Sequence, residues 1–304
     1  MQNYTMGKWD NLQFDRWAPI CPHSLPYRIY KSYDNDLMGM ITSFESAKGY
    51  TYSHLCKDGA VWDSKAYDYG LMKDNQTRTV REWSDNYQEF ANWLRLSLLL
   101  SSCSYLESYI SAIVKECIDS DPGLLIGSPH VIDGIKYKKH GISLRKDEVE
   151  SKIISCTKGT WQSRIENLSR LFGHLPKSME NSISELELIR IIRNDLAHAF
   201  GRDIKESQDY FRAIKSPIRR LSVKRFNKFH TLLNQIVQDF DSQVNRNHIG
   251  NYELILQYHS MYDAIKDLGK GYKVQELKKS LLLEKNTGCS KEFCRGVIVY
   301  YEKL

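Results

Sequence analysis

The rhythm of apolar positions changes near residue 80. From there Trp83, Tyr87, Phe90, Leu94, Leu98, Ser101, Tyr105, Tyr109 and Ile113 recur at spacings of three and four. That is the period of one helix face. It predicts one long helix, or two in line, ending near Asp119-Ser120-Asp121-Pro122-Gly123. A loop rich in Gly, Pro and Lys follows over 121–145, and helical patterning returns over 147–155 and Trp161–Phe172, closed by Gly173 and Pro176. Ser182 with Glu185 makes a capping box. The helix it opens buries Ile183, Leu186, Ile189, Ile192 and Leu196, with Gly201 as its stop. Phe226, Phe229, Leu233, Ile236, Val237 and Phe240 mark a further helix, Val223–Val244. Residues 80–246 therefore read as a bundle of four or five helices.

The flanks differ. Residues 1–80 are rich in Tyr, Trp, Gly and Asp, without long helical periodicity. Residues 50–55 and 60–62 read as two short strands around the Asp58-Gly59 turn. The expectation is an irregular or small mixed α/β N-terminal region. Residues 249–304 carry helical patterns at Tyr252–Ile265 and 274–283, then a β-prone run, Val297-Ile298-Val299-Tyr300-Tyr301, that is also able to extend a helix. The expected fold is mainly α: an N-terminal subdomain (1–80), a helical bundle (81–246) and a helical C-terminal extension (247–304).

Hydrophobic residues are 41% and charged residues 26%, the balance of an ordinary soluble protein. The net charge of +6 is mild and by itself identifies no acidic partner. The polar start lacks the apolar core of a secretion signal. The apolar stretch 94–114 is interrupted by Arg95, serines and Glu107. No membrane association and a cytoplasmic location are expected. Seven scattered cysteines argue against a disulfide framework. Cys289 and Cys294 have no second Cys or His pair nearby and read as reduced thiols rather than a zinc site. The His54/Cys56 and Cys21/His23 pairs read the same way.

Chemistry concentrates at the end of the 182–201 helix, in Arg193-Asn194-Asp195-Leu196-Ala197-His198. Asn194 and Asp195 stand four and three residues before His198, within reach along one side of a helix. Arg193 lies further round, on a long side chain. A guanidinium pairs with phosphate oxygens and stays charged, and an imidazole moves protons near neutrality. Together they suit attack of a ribose 2′-hydroxyl on its own phosphate, a route that needs no metal or cofactor and implies RNA. Basic residues that would track an RNA backbone are Arg190, Arg202, Lys215, Arg219, Arg220 and Lys224, continuing to Arg225 and Lys228. Lys136, Lys138, Lys139, Arg145 and Lys146 form a second basic stretch. Solvated surface is the alternative for both. Tyr and Trp within 1–80 would either stack bases or form core.

Arg-Asn-x-x-x-His near the end of an apolar helix in a small bundle resembles the HEPN superfamily. The upstream runs Tyr105-Leu106-Glu107-Ser108-Tyr109-Ile110, Ser163-Arg164-Ile165 to Phe172-Gly173, and Glu185-Leu186-Glu187-Leu188-Ile189-Arg190 resemble its earlier helices. The resemblance implies Arg193 and His198 as the catalytic pair, Asn194 as the supporting polar residue, and a homodimer whose two motif helices share one cleft. It also implies a metal-independent endoribonuclease of the toxin or antiviral defence effector type; an antitoxin, a sensor protein or a bound ligand would each fit as its restraint. Asp195, as orienter of His198, comes from spacing alone. Some relatives are catalytically silent binding or regulatory modules. A metal-dependent nuclease with chemistry in the N-terminal part is another alternative. Arg225 and His230 repeat the Arg-x4-His spacing inside a helix that reads as packing.

Overall fold

A 33-residue helix, α1 (Leu25–Lys57), dominates the described part of the segment expected to be irregular or mixed. The computed structural model describes residues 14–65, 79–199 and 217–304, and among them the only β pairing is an isolated bridge between Lys65 and Thr79. The strands expected at 50–55 and 60–62 are thus corrected: residues 50–55 complete α1, and 60–62 follow the turn at its end. Helical spacing there is hidden because the inward face is partly polar. Tyr30, Asp34 and Leu37 are all buried on it. Further along, aromatic rings take over the packing. Phe44 lies 5.5 Å from Tyr87 and 5.6 Å from Phe90, and Tyr52 lies 5.5 Å from Trp83. Residues that look β-prone alone pack equally well across a helix pair when the neighbouring helix is aromatic. Gly59, at φ +67°, takes the left-handed turn after α1.

α2 (Val80–Ser120) is the long helix expected from the period. Thr79 and Glu82 open it with a reciprocal cap: the Glu82 N–H donates to Thr79 Oγ1 at 3.2 Å, and the Thr79 N–H donates to Glu82 Oε2 at 3.1 Å. Leu96, Leu99, Leu106, Ile110 and Ile113 are fully buried. By length and hydropathy α2 would suffice to span a membrane, and half of its most apolar window is buried within the protein. The loop expected at 121–145 holds a 3-10 turn (Pro122–Ile126) and the short helix α3 (Gly134–Lys139), capped by Asp133. α4 (Lys146–Thr157) and α5 (Trp161–Phe172) pack on each other, and the four-residue α6 (Lys177–Glu180) leads to α7 (Ile183–Ala199). α8 (Val223–Val244) buries every apolar residue assigned to its stripe.

A π-turn (Asn245–Ile249) precedes α9 (Tyr252–Ile265), α10 (Lys270–Lys285) and α11 (Lys291–Lys303), which pack mutually. The β-prone run at 297–301 lies within α11. Val297, Ile298 and Tyr301 are buried on one side, and the Ser290 hydroxyl caps the start.

The chain divides into two compact units, neither continuous in sequence. The first comprises Met1–Arg28, Ser108–Asn181 and Ile236–Leu304; the second comprises Ile29–Glu107 and Ser182–Gln235. The candidate chemistry of α7 belongs to the second.

Candidate active site

α7 reaches its last two turns with Leu186, Ile189, Ile192 and Leu196 buried, which fixes the rotation of the polar residues between them. Arg193 follows Ile192 and stays half-buried. Its guanidinium donates to Glu107 Oε2 of α2 at 2.9 Å and to Asn194 Oδ1 at 3.1 Å. Among the described residues the buried Nε of Arg193 has no hydrogen-bond partner. His198 is exposed. At about 100° of rotation per residue, Arg193 and His198 leave the helix about 140° apart. The Arg193 side chain thus meets Asn194 and Glu107, while His198 faces solvent at the helix C-terminus, where a cation is favoured.

Asp195 is turned inward. Its side chain is 9% exposed and accepts from Arg219 at 2.7 Å. Among the described residues the ion pair that Asp195 makes is with Arg219, not with His198. What places Arg219 is α2. The fully buried Asn92 donates to the Arg219 carbonyl at 3.0 Å and accepts from the Leu221 N–H at 2.8 Å. Arg95 adds a bond to the Leu221 carbonyl at 2.7 Å. These three bonds fasten the segment ahead of α8 to α2 and aim Arg219 at α7.

The basic stretch before and within α8 contains no acid of its own, yet other helices supply them. Arg220 pairs with Glu89, Lys228 pairs with Glu185, and Arg225 lies over the Phe229 ring at 5.4 Å. Lys224 is exposed. Arg190 is held by Glu187 on its own helix at 2.9 Å, and this hydrogen bond raises the guanidinium above its already high pKa. Arg202, Lys215 and the Gly201 stop lie outside the described residues. In the first unit Lys136, Lys138 and Lys146 are exposed. Lys139 donates to the Tyr301 carbonyl at 2.7 Å, and Arg145 pairs with Asp147 at 3.3 Å.

The second Arg-x4-His copy is structural. His230 bonds Asp34 at 2.6 Å and stacks near Phe226. Burial would raise the Asp34 carboxyl, but hydrogen bonds from His230, Lys31 and Asn234 outweigh it and hold the group well below the usual carboxylate range. All seven cysteines are free. Burial pushes the Cys289 thiol up to about 12 and the Cys294 thiol up to about 11, so both stay neutral.

Glu107 is the residue that sequence reasoning did not assign. Its signal was available: an acid inside an apolar helix, in a position where only a cationic partner makes burial tolerable. Compared with known families, curated proteins and solved structures, the chain matches no family model, no curated protein and no solved structure.

Proposed function

We propose that this chain is a HEPN-type endoribonuclease that cuts RNA without a metal, at a composite site formed by two copies. The observation that carries the reading is the end of α7, where Arg193 is held by Glu107 and Asn194 while His198 stands exposed. In one chain the two side chains diverge. Two α7 helices meeting about a two-fold axis would set the arginine of each copy beside the histidine of the other. An RNA phosphate in that cleft would meet the guanidinium edges not spent on Glu107. The ribose 2′-oxygen attacks phosphorus, one imidazole accepts the 2′ proton, and the bond to the 5′-oxygen breaks as the other imidazole donates a proton to it. The guanidinium groups stabilise charge on the phosphoryl oxygens. The products are a 2′,3′-cyclic phosphate and a 5′-hydroxyl. A toxin or antiviral defence effector in the cytoplasm, restrained by a protein antitoxin or sensor, is the setting this activity fits.

A second reading has its own support: the Arg193–Glu107 ion pair occupies part of the guanidinium, as suits a silent HEPN module that binds as a dimer. The deciding experiment incubates labelled RNA with purified protein in EDTA, beside the Arg193→Ala and His198→Ala variants, with mass measured in solution. The ribonuclease reading expects cyclic-phosphate ends from the native dimer and none from either variant, both still dimeric. Uncut RNA with an intact native dimer favours the silent module. Ends bearing a 3′-hydroxyl, or cutting by His198→Ala, overturn the mechanism.

A further inference from the structure

Away from α7, in the first compact unit, the structure assigns a site for a divalent transition ion of the Zn(II) class to Asp121, His130 and His248. Asp121 follows the last residue of α2 and is fully buried. Its Oδ2 lies 3.1 Å from Nδ1 of His248, on the π-turn, and 3.8 Å from Nε2 of His130, in the loop before α3. One donor atom from each residue lies within 4.8 Å of the other two. Nitrogen and oxygen ligands sit about 2.0–2.2 Å from zinc in a tetrahedron, which sets their mutual separations at about 3.3–3.6 Å. The two distances from Asp121 bracket that edge. An ion entering here would need only a small closing motion of the half-exposed His130 ring.

The surroundings hold these groups in place. His248 is buried, with Phe172 5.4 Å from its ring. The His130 ring stacks on Trp17 at 4.1 Å, and the His130 backbone N–H donates to Asp121 Oδ1 at 2.8 Å. His130 also adopts φ +65°, a left-handed conformation uncommon for residues other than glycine. Asp121 also acts on the charge of Arg16. Its guanidinium is committed to Asp133, the Ile249 carbonyl, and the carbonyl and hydroxyl of Ser120. Among the described residues, Asp121 forms ion-pair contacts with His130 and His248 and none with a Lys or Arg.

Without an ion, His248 Nδ1 donates to the Asp121 carboxylate and His130 Nε2 donates to the Asn247 carbonyl. On loading, each ring frees the nitrogen that faces the ion, carries its proton on the other nitrogen and turns a lone pair to the ion. The fourth position of the tetrahedron falls to the Asn247 carbonyl, released from its donor, or to a water on the exposed side of His130. Two imidazoles with one carboxylate select zinc-like ions over Mg²⁺ and Ca²⁺, which take oxygen ligands. A bound ion would tie together the end of α2, the following loop and the π-turn.

The test uses the full chain, stripped with chelator and titrated with Zn(II) or Co(II) alone. One ion per chain is expected, with a tetrahedral Co(II) visible spectrum and a rise in Tm on loading. Asp121→Asn keeps the shape of the buried side chain. His130→Asn keeps a residue tolerant of positive φ, so it preserves the fold if the buried variant does not. Each should weaken binding by at least about tenfold. No saturable binding by the native protein, or equal binding by His130→Asn, overturns the site; ions held by cysteines would give the second result.

Discussion

Removing Arg219 should harm the protein more than removing its partner Asp195, although the two lose the same contact. The bond is 2.7 Å long, with Asp195 9% and Arg219 37% exposed. A charged hydrogen bond contributes about 1.5–3 kcal/mol net. Water at the exposed edge of Arg219 screens it toward the value of surface pairs, about 0.2–1 kcal/mol. A coupling energy of about 1–2 kcal/mol follows. Asp195→Ala lets Arg219 turn its charge to solvent, so its cost stays close to the coupling alone. Arg219→Ala strands a carboxylate inside the protein, adding a desolvation penalty that brings the loss to about 2–3 kcal/mol. The assay is urea unfolding of the native chain, both single variants and the double variant, followed by fluorescence and circular dichroism so that separate unfolding of the two units is seen. A coupling below about 0.3 kcal/mol, within ordinary additivity error, would refute the pair as a structural tie. So would a larger loss from Asp195→Ala than from Arg219→Ala.

Three further outcomes are expected. Glu107→Ala should lower RNA cutting about 10–100-fold through misplacement of Arg193, and Glu107→Gln should lower it less; faster cutting in either would mean that Glu107 restrains the arginine. The depressed Asp34 carboxyl stabilises the fold above the unfolded value of about pH 3.9 and loses that contribution as pH falls through its lower folded value. The gap in unfolding midpoint between native protein and Asp34→Asn should therefore be constant near neutrality and shrink below about pH 4. A methyl group added at Gly134 would stand 1.7 Å from the Asp119 carbonyl oxygen, so Gly134→Ala should cost at least about 1–3 kcal/mol, read as a fall in Tm.

Where the sequence was legible, burial followed a single helical stripe. Phe226 to Phe240 in α8 and Leu186, Ile189, Ile192 and Leu196 in α7 bury the apolar positions their period marks, so period and structure agree there, with Asp195 the polar exception on the inward side of α7. α1 was hidden for the converse reason. Its inward face carries Asp34, bonded to Lys31, His230 and Asn234, and its far half packs aromatic residues whose preference in isolation is extended. α11 shows the same limit in milder form, since Val297 to Tyr301 is β-prone by residue type and helical by packing. The Thr79/Glu82 cap was legible in principle, because it has the same spacing as the one read at Ser182/Glu185.

The candidate site divides along a different line. Spacing placed Arg193, Asn194 and His198 at the end of one helix, because position on a helix is a local property. Which acid Arg193 and Arg219 meet is not local, unlike the pairing of Arg190 with Glu187. Glu107 lies 86 residues from Arg193, and Asp195 lies 24 from Arg219; only the packing of α2 against its neighbours selects these pairs. The same logic revises the basic stretch before α8. Read along the chain it is a run of positive charge, yet Asp195, Glu89 and Glu185 meet Arg219, Arg220 and Lys228 from elsewhere. Much of its charge is therefore spent inside the second unit. Lys224 is exposed, so an RNA strand drawn to this face would depend more on Lys224 than on Arg219. Lys224→Ala should accordingly weaken RNA binding and flatten its salt dependence by about one counterion, whereas Arg219→Ala should act through stability. A variant pair that behaved the other way round, measured by RNA affinity across salt, would return the arginine to the binding surface and undo the charge assignment made from packing.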